Sequence, residues 1–92
     1  MSTPFVHSVL ALAEEAKVRT SDLAREYGPR LETAAHDVEH KLEVWLGYVD
    51  EHLAHWEDQV IVEGKKIAYD AYRAAQDETR KLIDAYKTAH HV

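Results

Sequence analysis

Seven histidines in a chain of 92 residues are the first side chains that could do chemistry. His36 and His40 stand four residues apart, and Asp37 and His40 three apart, so each pair shares one face of a helix. His52 and His55 repeat the three-residue step, with Glu51 before them and Asp58 after. Imidazoles and carboxylates at such spacings ligate divalent metals when facing helices project them into a bundle core. Di-iron carboxylate bundles take Glu-x-x-His from two helices and Glu from two more. Here the four histidines fall on one expected helix, and Asp37 is the sole carboxylate three places before a His. Surface imidazoles with no cofactor are therefore the main expectation. A metal site using His36, His40, His52 and His55 is the alternative. His90-His91 would bind nickel or zinc adventitiously.

Other catalytic signatures are missing from the sequence. It has no Cys, no Gly-rich phosphate loop and no Gly-x-Ser-x-Gly. Ser2, Ser8 and Ser21 have no His and acid in triad order. Glu14-Glu15 and Asp50-Glu51 fall on expected solvent faces, where they serve solubility rather than acid–base chemistry. The expectation is a non-enzyme with no evident small-molecule substrate.

The elements that would position these residues are helical. Three Gly and two Pro are few for a chain of this length, which speaks against loop-rich β architectures. A net charge of −6 argues against a general nucleic-acid binder or a basic membrane-surface helix. No apolar run approaches the ~20 residues that span a bilayer. Phe5 to Ala13 is mildly apolar, but no Lys or Arg precedes it and Glu14-Glu15 follow at once, so a first amphipathic helix is expected rather than a signal peptide. A cytoplasmic protein is the expectation.

Pro4 suits a first helical turn, with Ser2 or Thr3 as N-cap. Phe5, Val9, Leu12, Ala16, Leu23 and Tyr27 recur at steps of three and four, apart from one gap at Arg19. Gly28-Pro29 reads as the turn that ends this helix. The second stripe is the strongest: Leu31, Ala35, Val38, Leu42, Trp45, Val49, His52 and Trp56 occupy successive a/d positions. Gly64 reads as a second turn. Beyond it Ile67, Ala68, Ala71, Tyr72, Ala75, Thr79, Leu82, Ile83 and Tyr86 mark a third stripe. The expected fold is all-α, with helices at about 4–27, 30–60 and 65–90. They form an antiparallel three-helix bundle or elongated hairpin with coiled-coil-like packing, in a single domain.

Two short segments resemble known families. Thr20 to Gly28 resembles the opening half of a DNA-binding helix-turn-helix, with Leu23 and Tyr27 buried and Gly28 in the turn. The resemblance implies DNA contact through residues 20–40, with Arg25, Arg30 and Lys41 as the basic ridge. The second half departs from the pattern: Pro29, Ala34 and Asp37 stand where aliphatic residues are usual, and Glu32, Asp37 and Glu39 would repel phosphates. Trp45-Leu46-Gly47 is similar to the central Trp-x-Gly of small helical-hairpin proteins exported by type VII secretion. That family carries the motif in the loop between two long helices. Here the apolar stripe runs unbroken through Gly47, and no Tyr is followed four places on by an acid.

Recognition through helix faces remains. Two Trp, five Tyr and one Phe supply large contact area with few rotors to freeze. Trp45, Val49, His52 and Trp56 form the expected contact, either with a second copy or with a protein partner. A structural or interaction protein, oligomeric and without nucleic-acid, membrane or cofactor partners, is the main expectation. Helix-turn-helix DNA binding is the runner-up.

Overall fold

A computed structural model describes residues 3 to 19 and 21 to 90. Ser2, Thr20 and His91, named above, lie outside the described residues. The described chain is all-α: α1 (Pro4–Lys17), α2 (Asp22–Ala54) and α3 (Gln59–His90). Successive helices are antiparallel, in a rod of 55 × 19 × 16 Å. The expected fold class holds, while both turns lie elsewhere than the glycines suggest.

Helix ends follow side-chain caps. Thr3 Oγ1 accepts the Val6 N–H at 3.2 Å and opens α1, with Pro4 in the first turn. The chain leaves α1 at Val18, and Ser21 opens α2 by accepting the Ala24 N–H. Asp22 then adds a carboxylate to the first turn, where the helix dipole favours it. At the second turn His55 caps α2, and Asp58 Oδ1 accepts the Val60 N–H at 3.0 Å to start α3. Lys65 and Lys66 consequently sit two turns inside α3, clear of its positive end.

Gly28-Pro29 is not a turn. Both residues lie inside α2, so helices at 4–27 and 30–60 are corrected to 4–17 and 22–54. Pro29 withdraws one N–H and leaves the Arg25 carbonyl without its usual donor, a cost of about 3 kcal/mol in a helix interior. Packing offsets that cost. Ala24, Gly28, Leu31, Ala35, Val38 and Leu42 are buried at alternating steps of four and three, facing Val6, Val9, Ala13 and Ala16 of α1. A break at Gly28 would remove the first turn and a half of this row. Gly28 is there for close approach: a Cβ would stand 2.6 Å from Lys17 Cγ and 3.3 Å from the Ala13 oxygen.

Gly64 repeats the correction. It lies within α3, and a Cβ there would meet Tyr48 Cε1 at 2.6 Å, so the glycine admits the Tyr48 ring. The α3 row is Ile61, Lys65, Ala68, Tyr72, Ala75, Thr79, Leu82 and Tyr86 in the same alternating steps. Ile67, expected in the stripe, is 70% exposed, and Trp56 lies in the α2–α3 turn rather than on the α2 stripe. The buried Thr79 hydroxyl is satisfied, donating to the Ala75 carbonyl at 2.8 Å.

The three helices differ in length. At 1.5 Å per residue α1 spans about 21 Å, against about 50 Å for α2. The molecule therefore has two ends. At the three-helix end α1 lies in the slot between α2 and α3, where Tyr27 and Tyr86 meet at 5.6 Å and Arg80 covers Phe5 at 5.3 Å. Arg19 donates to the Tyr86 hydroxyl at 3.0 Å and ties the α1–α2 turn to α3. At the other end α2 and α3 form a bare hairpin. Among the described residues every fully buried side chain belongs to α1, to α2 up to Val38, or is Tyr86.

Two sets of predictions follow, the first from the glycines inside α2. Gly47→Ala should raise stability by up to about 1 kcal/mol in urea unfolding, since nothing lies within 4 Å of the added Cβ. Gly28→Leu should lower it by about 1–3 kcal/mol by overpacking against α1. A stabilising Gly28→Leu would show that α1 does not approach so closely. The second concerns Lys17, which bridges to Glu32 and to Glu14. Its ammonium holds the Glu32 carboxyl below the usual range, by hydrogen bond first and charge second. Lys17 is raised in turn, by its hydrogen bonds to Glu32 and then Glu14. A depressed carboxyl stabilises the fold above its ordinary value and ceases to do so as pH falls through the folded one. The melting-temperature gap between wild type and Glu32→Gln should be small, because the pair is exposed. It should be present at pH 7 and close below the ordinary carboxyl value of 4.5. An equal gap at pH 7 and pH 2.5 would mean the bridge contributes nothing.

Candidate functional site

The bare hairpin carries most of the uncovered apolar surface. Of the eight large hydrophobic side chains exposed among the described residues, Val44, Leu53, Trp56, Val60, Ile67 and Tyr69 lie there, and Val18 and Leu23 lie near the first turn. Leu53 and Val60 are each 79% exposed and flank the α2–α3 turn with Trp56 at 69%. Such clustering marks a contact surface more strongly than scattered exposure would.

Its geometry follows from the rows that hold α1. Glu32 lies on the α2 edge that meets α1, through Lys17. Because buried positions repeat every seven residues, Glu39, Leu46 and Leu53 continue that edge. On α3, Ile83 packs against the core that α1 helps to form. Seven-residue steps back from it reach Gln76, Tyr69 and Val62. Leu46 and Leu53 therefore face Val62 and Tyr69 across a slot that continues the groove filled by α1, beyond the reach of its 14 residues.

Three rings form the floor of the slot. Trp45 stacks parallel to Tyr72 at 6.0 Å and meets Tyr69 at 5.1 Å and a tilt of 53°. Tyr69 and Tyr72 are 6.5 Å apart. The offset and tilted arrangements are those that aromatic quadrupoles favour. Trp45, Lys65, Lys66, Tyr69 and Asp70 border an open notch of about 570 Å³ on this side.

The expected contact residues occupy this end without forming one patch. Trp45, Val49 and His52 are half-buried on α2, and Trp56 is detached from them in the turn. Lys65 Nζ donates to His52 Nδ1 at 3.2 Å, which joins the two helices. Tyr69 was not expected as a partner of Trp45. The α3 row identifies it once Lys65 is admitted as a buried-row position, because the edge residue then falls at 69.

The alternative sites do not assemble. His36 stands 4.0 Å from Glu39, His40 is exposed, and His55 caps α2 away from both. Among the described residues no group of three His, Cys, Asp or Glu side chains gathers to hold a metal. The helix-turn-helix lacks its turn, since residues 22 to 40 are uninterrupted helix. Of its basic ridge, Arg25 pairs with Asp22, Lys41 with Asp37 at 3.1 Å, and Arg30 lies over Tyr27. Trp45-Leu46-Gly47 is mid-helix, as the unbroken stripe implied. Among the described residues no helix is long and apolar enough to cross a membrane.

Comparison of the chain with protein families, curated proteins and solved structures finds no match.

The ring floor gives a direct test. Trp45→Ala should lower stability by about 1–3 kcal/mol, and Trp56→Ala should change it by less than about 0.5 kcal/mol. In the single-tryptophan variants Trp45→Phe and Trp56→Phe, acrylamide should quench Trp56 more efficiently than Trp45. Equal quenching would contradict the stack.

Proposed function

We propose that this chain is a non-enzymatic interaction protein that docks a further helix on its hairpin end. The observation that carries the reading is the unfilled slot: an apolar groove continuous with one that α1 fills in the same chain. Each Val or Leu side chain moved from water into such a groove is worth about 1.5–3 kcal/mol. Trp45 and Tyr69 supply the aromatic area that dominates many interfaces at low entropic cost. The reading also accounts for the placement of Leu53, a large apolar side chain left exposed on the edge of the slot. A cytoplasmic setting belongs to the same proposal, from the acidic and Cys-free composition.

A photo-crosslinking amino acid at position 53 should yield covalent adducts in native extract. The same group at position 23, an exposed leucine at the three-helix end, should yield none. The adduct mass separates a second copy from a different protein. Equal labelling from both positions, or none from position 53, would overturn the reading.

A further inference from the structure

Beyond the reach of α1 the long helices meet through the ring floor and through the hydrogen bond from Lys65 Nζ to His52 Nδ1 at 3.2 Å. That bond fixes the state of both groups. A lysine ammonium carries three N–H donors and no acceptor, so the lone pair comes from the imidazole. The half-buried His52 ring is therefore neutral, with Nδ1 bare and its proton on Nε2. A further proton can enter only at Nδ1, the atom that holds the lysine.

We propose that this pair is a pH-sensitive latch between α2 and α3. Protonation of Nδ1 removes the acceptor and sets imidazolium against ammonium across the contact that had joined them. Imidazole is the ordinary side chain whose charge changes between about pH 5 and 8. Lys65 then leaves the ring, and the open notch that it borders with Trp45, Tyr69 and Asp70 gives it room. The hairpin end loosens, while the three-helix end keeps its core. The latch is a property of the free chain and stands whether or not the slot docks a helix.

The surroundings supply no replacement partner. α1 ends at Lys17, so only α2, α3 and the turn between them lie against the pair. From α3 the imidazole meets Lys65, with the exposed Glu63 and Lys66 to either side in sequence. On α2 its titratable neighbours are Glu51, Tyr48 one turn before and His55 one turn after. The Tyr48 ring lies over Gly64, His55 is the α2 cap, and in the turn Asp58 accepts the Val60 N–H. Among the described residues neither His52 nor Lys65 forms an ion pair with a carboxylate. His36 has the opposite setting: it stands 4.0 Å from Glu39, so a proton there strengthens the contact instead of breaking it.

Nitrogen-15 spectra of the wild-type chain at pH 8 should show His52 Nδ1 bare and Nε2 protonated. In the Trp56→Phe protein, Trp45 is the single tryptophan and shares the notch with Lys65. Its emission should change through a one-proton step between pH 8 and pH 5. His52→Asn keeps an acceptor near the place of Nδ1 but does not titrate. Lys65→Gln donates to the neutral ring and, with its amide turned over, accepts from the charged one. Either substitution should remove the step, and His55→Asn should leave it. Amide protection at residues 48 to 66 should fall about two- to ten-fold over the same range, the worth of one net hydrogen bond. In His52→Asn it should hold.

A proton on Nδ1 at pH 8, no Trp45 step, or a step that survives either substitution would overturn the latch. So would an equal loss of protection in His52→Asn. The nitrogen spectrum needs no variant, so it decides the tautomer whatever a substitution does to folding.

Discussion

The helix of 14 residues laid against partners of 33 and 32 sets almost everything else in this molecule. Where α1 lies, three apolar rows close on one another, and Val6, Val9, Leu31 and Val38 lose all exposure. Where it stops, the same rows on α2 and α3 continue without a third partner. Only Leu42, Ile61 and Ala68 keep less than a tenth of their surface exposed there. One length difference therefore accounts for both the core and the uncovered slot.

The periodicity was legible in the sequence and the punctuation was not. Rows at steps of three and four located α2's core from Leu31 to Leu42 and most of α3's, because burial selects those positions directly. Gly28-Pro29 and Gly64 misled because backbone freedom is only one reason for glycine. In each case the missing side chain admits a neighbour: Lys17 and Ala13 at Gly28, the Tyr48 ring at Gly64. The true starts were written in Ser21-Asp22 and Asp58, short polar residues followed by an apolar row. Ser21-Asp22 also falls within the segment that resembles a DNA-binding helix-turn-helix, and Asp58 follows the His52 and His55 pair.

The candidate site shows the same division. Trp45, Val49 and His52 follow from the α2 stripe, since all three lie on rows that continue from the core. Trp56 does not, because α2 ends at Ala54 and the stripe with it. Tyr69 needed the register of α3, which Lys65 obscures: a lysine in a buried row reads as a break until its neighbour is seen. Here that neighbour is the His52 imidazole, so the position carries an inter-helix hydrogen bond rather than apolar contact.

The aromatic floor explains how a two-helix end can stay ordered while its third side is empty. Isolated hairpins of this kind have thin cores, and the buried Ala68 adds little volume to this one. Rings packed against one another along the seam cover it with rigid surface, each with only two side-chain torsions to fix. On the proposed docking role, the surface is already arranged before a helix arrives, and binding need not order it. A floor made instead of long aliphatic chains would bury similar area but would have to be frozen on contact. Stacking thus holds α2 to α3 where α1 cannot, and on the proposed role it also keeps the slot in the shape a docked helix requires.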